Sequence, residues 1–437
     1  MSERHEALAE HYPPLTRHEA LVESNRCLYC YDAPCTHACP THIDIPKFIK
    51  KISTDNLSGS ARTIFDSNLI GATCARVCPV QELCEGACVL NSEHKPIMIG
   101  RLQRYAMDHA YGSGQLPFPL GAAATGRGVA VVGAGPAGLS CAGELRRRGH
   151  AVTIYEKRDM AGGLSTYGII GLREPVPVAL AEVDLMKRLG VNIETGQELG
   201  ANLTFDALRA RHDALFLAVG LGPTPDLDIP NEEYILDGLE YIEQSKLDPH
   251  GATIGRNVVV IGAGNTAIDC ATIAKRLGAE GVTIVYRRTG REMTAYPHEF
   301  DFIKKEGVDF RFLTQPTAVT VESGSVSGLS CVLMALGELD ATGRPSPGVV
   351  PGSGFILRAD QIVKAIGQKK PSLASQLGLA TDRGHIHVTA QFETSIAGIY
   401  AGGDAIRARG AASTVMAVQD GKLAAQAIHA KLESHHG

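Results

Sequence analysis

Apolar residues in the first hundred or so positions recur at helical spacing and show no strand-like alternation. The segments Ile45–Ser53, Gly59–Ser67 and Ile99–Ala110 read as short helices separated by cysteine-bearing loops. A stretch rich in Gly, Ala and Pro, Gly112–Gly128, has no period and reads as a linker. From Gly128 onward strands and helices alternate. Val129–Val132 is a buried strand, Pro136–Arg148 a helix and Val152–Tyr155 a second strand. The same order returns at Val258–Ile261, Thr266–Leu277 and Val282–Tyr286, so the chain is expected to hold two βαβ units. Thr317–Met334 reads as a β-hairpin turning at Ser323-Gly324, and a helix over Ser413–Leu432 closes the pattern.

A length of 437 residues suggests roughly three domains, each able to bury its own core. The formal charge of −5 gives no reason to expect a nucleic-acid partner. Residues 1–20 are polar, and no apolar run approaches the ~18 residues of a membrane span. A cytoplasmic protein without a membrane partner is the expectation. Cysteine changes that bland picture, because eight of the eleven fall before residue 89. Without an export signal, such clustering points to metal binding more than to disulfides.

Gly133-Ala134-Gly135-Pro136-Ala137-Gly138 lies between a strand and a helix. Gly133 permits the tight turn, Gly135 a close approach to pyrophosphate and Gly138 close helix–strand packing. Glu156, at the end of the next strand, can accept from ribose hydroxyls. A plain packing turn would not need all of these in register. The second motif, Gly262-Ala263-Gly264-Asn265-Thr266-Ala267, is followed by Arg287, Arg288 and Arg291 in place of a carboxylate. Arginines there suit a 2′-phosphate and favour NADP over NAD, the alternative being solvated charges at a strand end.

Ile399-Tyr400-Ala401-Gly402-Gly403-Asp404 resembles the late flavin motif of two-dinucleotide flavoproteins, in which the aspartate contacts the ribityl chain. A helix starting near Thr414 and Val415 would then aim its positive end at the flavin ring. Ala218-Val219-Gly220 and Ala365-Ile366-Gly367 resemble the two crossings between domains. One flavin-type and one nicotinamide-type site make hydride transfer between bound cofactors the expected chemistry, with no acid or base side chain required. Disulfide reductases of this architecture carry a C-x-x-C pair, whereas Cys141, Cys270 and Cys331 are isolated. The electrons are therefore expected to leave by another route.

That route is the cysteine array, Cys27-x2-Cys30-x4-Cys35-x3-Cys39-Pro40 and Cys74-x3-Cys78-Pro79-x4-Cys84-x3-Cys88. The first block resembles the two-cluster ferredoxin pattern, in which the cysteine before proline ligates the other cluster. On that reading Cys27, Cys30, Cys35 and Cys88 hold one cluster, while Cys39, Cys78 and Cys84 share the second. Cys74 is the candidate fourth ligand on chemistry alone. Two tetrahedral zinc sites are the alternative, but zinc could not split a hydride into single electrons.

CLYCYDAPCTHACPTHIDIPKFI at 27–49, GATCARVCPVQELCEGAC at 71–88 and PIMIGRLQRYAMD at 96–108 carry a resemblance over nearly the whole chain. So do GAGPAGLSCAGELRRRGH and AGGDAIRARGAASTVMAVQDGK. Together they resemble the flavin-containing subunit of bacterial dihydropyrimidine dehydrogenase (the PreT type) and the N-terminal half of the longer eukaryotic enzyme. Similar blocks occur in the glutamate synthase small subunit and in the flavin subunit of a ferredoxin:NADP oxidoreductase, the alternative assignments. The resemblance implies FAD, two [4Fe–4S] clusters and NADP(H) or NAD(H). It also implies that Gln103, and not Cys74, completes the second cluster, and that Arg173 lies beside the flavin. Gly163 and Leu164 join the expected FAD set, and Ala365 and Gly367 the expected NAD(P) set.

The longer enzyme adds an FMN barrel and two further clusters, for which the residues up to Gly437 leave no room. Uracil or thymine reduction is thus expected on a separate FMN/iron–sulfur subunit (PreA type), in a hetero-oligomer. The expected fold is an α/β two-dinucleotide-binding-domain flavoprotein, with two Rossmann-like domains and an N-terminal α-helical iron–sulfur domain. Expected boundaries are 1–125 for the cluster domain, 126–222 and 367–437 for the FAD domain, and 223–366 for the NAD(P) domain.

Overall fold

Side-chain caps start three of the helices described in the cysteine-rich region. Thr16 and Glu19 form a reciprocal capping box at α1 (Arg17–Asn25). A five-residue helix, α2 (Pro34–Ala38), opens on proline. Asp44 accepts from the Lys47 N–H at the start of α3 (Ile45–Ser53). Asn56 accepts from the Gly59 N–H and so starts α4 (Leu57–Ser67) two residues before the position that apolar spacing suggested. The segments α5 (Gly71–Val77) and α6 (Ile99–Ser113) follow, the latter stopping at Gly114 with φ +68°. Ile45, Phe48, Ile49 and Ile52 occupy one stripe of α3 and are buried, each contributing about 1.5–3 kcal/mol.

The computed structural model describes residues 7–114, 116–117, 121–339, 343–408 and 412–434; residues 115 and 118–120 of the expected linker lie outside them. These helices share a compact unit with the first βαβ region. There β1 (Gly128–Val132) leads to α7 (Pro136–Arg147) and β2 (Ala151–Tyr155). Then come α8 (Val176–Arg188), β3 (Asn192–Glu194) and β4 (Ala214–Leu217). Residues 129–132 and 214–217 are buried on both faces, the pattern of a parallel sheet covered on each side.

The second unit comprises Gly222–Lys369 with residues 7–10 and Tyr167–Leu172. Its strands are β5 (Leu236–Asp237), β6 (Asn257–Ile261), β7 (Gly281–Val285) and β8 (Asp309–Arg311), with α9 (Asn265–Arg276) between β6 and β7. β9 (Thr314–Glu322) and β10 (Ser325–Leu339) form the expected hairpin, and Ser323 and Gly324 both adopt positive φ at its turn. β11 (Pro345–Val349) and β12 (Phe355–Arg358) also pair with β10. β13 (Gln361–Lys364) completes a parallel sheet ordered β5-β13-β6-β7-β8.

The chain then returns to the first unit with β14 (Ile399–Ala401) and α10 (Thr414–Glu433). β14 pairs with β4, so the parallel sheet there is ordered β14-β4-β1-β2-β3. Among the described residues, no helix is long and apolar enough to cross a membrane.

Candidate functional site

The two cysteine blocks interleave in space. Cys27, Cys30, Cys35 and Cys88 line one cavity of about 370 Å³, part of it open to solvent. Its walls are otherwise apolar, with Leu28, Pro34, Ile49 and Val89 among them. Burial pushes the Cys35 thiol up to about 11, with the neighbouring Cys27 and Cys88 adding to the effect. Four thiols around an apolar space suit a body that takes thiolate ligands on several sides. Among the described residues, no three His, Cys, Asp or Glu side chains are grouped so as to hold a single metal ion.

Cys39, Cys78 and Cys84 line a second cavity of about 380 Å³, and both Cys74 and Gln103 share its wall. Cys78 is raised by a hydrogen bond with Cys74, then by burial and by the neighbouring Cys84 and Cys39. Gln103 is buried on α6, and its Nε2 donates to the Gly71 carbonyl at 2.8 Å. That bond leaves the amide oxygen as the group with lone pairs to offer. Ile45 lines both cavities, and Val415, in the first turn of α10, lines the second.

A buried polar contact that the local sequence pattern did not reveal ties α5 to α8. Glu182 Oε1 accepts from the Ala72 and Thr73 N–H groups, at 2.7 and 3.1 Å. The Thr73 hydroxyl donates to Glu174 Oε1 at 2.5 Å. Burial pushes Glu182 up to about 8, opposed by its hydrogen bonds and reinforced by Glu174. These partners lie more than a hundred residues apart in the chain, beyond the reach of spacing arguments.

At the first glycine motif, Gly133 has φ +101°, and a Cβ there would lie 2.4 Å from the Ala218 carbonyl oxygen. A Cβ on Gly138 would lie 2.0 Å from the Gly133 oxygen, so helix and loop can meet only at glycine. Pro136 and Ala137 open α7 behind Gly135, and Gly163 packs against Gly135 with Leu164 exposed beside it. Glu156 Oε2 accepts from the Ala134 N–H at 2.8 Å and Oε1 from the Arg158 N–H at 2.9 Å. Its carboxylate braces the loop and keeps lone pairs for hydroxyl donors. The backbone cradle, helix N-terminus and carboxylate fit a dinucleotide. Arg173 is half-buried just ahead of α8.

β14 ends at Ala401 and is followed by Gly402 and Gly403, and burial raises the Asp404 carboxyl against the pull of Arg407. Asp420 Oδ2 accepts from the Gly403 N–H at 3.1 Å and from the Arg407 guanidinium. Asp420 and Arg407 therefore shape this turn, although neither stands out in the motif. Thr414 follows the cap Ser413, whose hydroxyl accepts from the Met416 N–H.

In the second unit Gly262 has φ +128°, and a Cβ there would lie 2.1 Å from the Ala365 carbonyl oxygen. Gly264 caps α9, and Asn265 Oδ1 accepts from the Tyr296 N–H at 3.2 Å, while Thr266 is half-buried beside it. Gly367 is exposed with φ +98°. The three arginines separate: Arg287 and Arg291 are exposed, while Arg288 is buried with its Nε donating to the Pro345 carbonyl. Pro345, on β11, is 57 residues away, so the three arginines look alike in the chain.

Residues 4–115 match the family described as dihydropyrimidine dehydrogenase domain II, 4Fe-4S cluster, and residues 127–421 match the pyridine nucleotide-disulphide oxidoreductases. The chain is 35% identical to the Escherichia coli NAD-dependent dihydropyrimidine dehydrogenase subunit PreT, covering 98% of this chain and 97% of that one. It is 32% identical to the small chain of the E. coli NADPH glutamate synthase, over 97% of this chain and 94% of that one. Identity to the AegA protein of E. coli is 34% over 96% of this chain, but only 66% of that longer protein is spanned. The fold is that of Mycobacterium tuberculosis FprA, with TM-score 0.58 and 19% identity over 71% of this chain and 85% of that one. The chain belongs to the pyridine nucleotide-disulphide oxidoreductase family, as an FAD-dependent NAD(P)H oxidoreductase whose N-terminal segment is of the 4Fe-4S type found in dihydropyrimidine dehydrogenase.

Proposed function

We propose that the chain is the NAD(P)H-oxidising subunit of a dihydropyrimidine dehydrogenase, delivering electrons through FAD and two [4Fe–4S] clusters to a separate subunit that reduces uracil or thymine. The observation that carries this reading is Val415, which sits in the helix of the late flavin motif and lines the second cysteine cavity. Ile45 then joins that cavity to the first, so a flavin-side helix and two thiol-lined spaces follow one another within one unit. Clusters divide the two electrons of a hydride into single steps.

Cys27, Cys30, Cys35 and Cys88 would hold the first cluster, and Cys39, Cys78, Cys84 and Gln103 the second. Gly133, Gly135, Gly138, Glu156, Gly163, Arg173, Gly403 and Asp404 would hold FAD. Gly262, Gly264, Asn265 and Thr266 would hold the nicotinamide nucleotide, with Arg287 and Arg291 reading a 2′-phosphate and Arg288 anchored on the Pro345 carbonyl. Near full-length similarity to PreT supports a hetero-oligomer with an FMN/iron–sulfur subunit of the PreA type.

Comparable similarity to a glutamate synthase small chain supports a second reading, in which the same module feeds glutamate synthase. Reconstitution separates the two. The holoprotein mixed with an FMN-barrel subunit should oxidise NAD(P)H when uracil or thymine is added. Oxidation dependent on glutamine and 2-oxoglutarate, seen only with a glutamate synthase large subunit, would replace the first reading by the second.

A further inference from the structure

Val415 and Lys422 are seven residues apart on α10 and so lie on the same helical face. The first lines the cavity of Cys39, Cys78 and Cys84. The second reaches backbone next to it: Lys422 Nζ donates to the Thr41 carbonyl at 3.2 Å and to the carbonyl of Ser67, the last residue of α4, at 3.0 Å. Thr41 is buried, lines the same cavity, and holds its hydroxyl 3.4 Å from the Cys39 sulfur. Asn68, next to Ser67, lines the cavity as well. Two main-chain carbonyls thus fix an ammonium group where a cluster's charge would be felt.

Burial lowers the Lys422 pKa, Glu144 and Cys39 oppose that shift, and Arg147 adds to it. Glu144 is itself paired with Arg147 and Arg148, so it does not neutralise Lys422 alone. One-electron reduction at the cavity adds one negative charge, and a fixed cation in a partly desolvated position favours the reduced form.

We infer that Lys422 is a positioning residue for electron entry, its charge raising the reduction potential at the Cys39, Cys78 and Cys84 site so that electrons leave the flavin toward that site. This rests on the reading that the cavity holds a [4Fe–4S] cluster. Neutralising the side chain while keeping an amide donor, in Lys422→Gln, lowers the reduced-to-oxidised ratio of one cluster about tenfold at fixed potential, which is about 59 mV for one electron. Lys422→Arg keeps the charge and restores the ratio.

The test is an EPR-monitored potentiometric titration of the purified holoprotein, with iron, acid-labile sulfide and flavin measured on each sample. One midpoint should fall in Lys422→Gln, the other stay, and Lys422→Arg recover the wild-type value. An unmoved midpoint with full iron content overturns the inference, as does an equal fall in Lys422→Arg, which would make carbonyl geometry and not charge the cause. Wild-type holoprotein without iron and sulfide would instead overturn the cluster assignment itself. Should Lys422→Gln lose the cluster, Glu144→Gln decides: removing that negative charge raises the same midpoint, and no rise overturns the proposal.

Discussion

The side-chain amide of Gln103 is held by the carbonyl of Gly71, 2.8 Å away, at the wall of the cavity shared by Cys39, Cys78 and Cys84. The bond orients the amide so that nitrogen faces the backbone and oxygen faces away from it. Cys74, on the same wall, instead engages Cys78. Gln103→Ala should remove roughly half of the iron and sulfide per flavin, while Cys74→Ala leaves both near wild type. Metal analysis of the two purified variants checks this, and the opposite pattern would make Cys74 the ligand.

Arg287 and Arg291 face solvent, and Arg288 does not. Arg287→Glu should raise KM for NADPH about 10–100-fold and leave KM for NADH within a few-fold, as expected for loss of a charged hydrogen bond. Arg288→Ala should lower thermal stability and change the two nucleotides' KM values alike. Steady-state kinetics with both nucleotides, alongside a melting curve, distinguishes the roles.

Those arginines show where sequence reasoning stops. The glycine motifs, the strands around them and the hairpin turn at Ser323-Gly324 are readable because each depends on neighbours a few positions away. So is the grouping of Cys88 with the first block and of Cys39 with the second around the two cavities, since the ferredoxin-like spacing points to it. The anchoring of Arg288 depends on the Pro345 carbonyl, and the lock on α5 depends on Glu174 and Glu182, all distant in the chain. The motif places Val415 at the flavin alone; its position on the wall of a cysteine cavity comes from packing of α10 across the unit. The start of α4 at Leu57 comes from the Asn56 cap and not from apolar period.

Glu182 makes stability depend on pH. Its carboxyl binds a proton more tightly in the folded chain, up to about 8 against an ordinary 4.5, because burial outweighs its hydrogen bonds. The native state therefore holds more protons than the unfolded state between those values, and stability falls as pH rises through that window. Glu182→Gln removes the titration. Its melting temperature relative to wild type should rise by a few °C between about pH 5 and pH 8, and a difference independent of pH would show that the carboxyl does not titrate there.

Helices α7 and α10 meet where Gly421 leaves no room. A Cβ at that position would lie 2.2 Å from the Ala137 carbonyl oxygen, and the Ser140 hydroxyl donates to the Val418 carbonyl at 2.7 Å beside it. Gly421→Ala should cost about 1–3 kcal/mol by forcing the helices apart. Because Ala137 belongs to the first turn of α7, flavin retention should fall together with stability. Calorimetry and the ratio of flavin to protein after gel filtration measure both.

Ile45 belongs to the wall of both cysteine cavities, and it is buried at the start of α3. A partition shared in this way passes a change of volume to both sides, whereas the loss of one ligand is felt on one side alone. The two thiol-lined spaces are thus as near to each other as a single isoleucine allows, and its bulk would set the width of the gap that an electron has to cross between them.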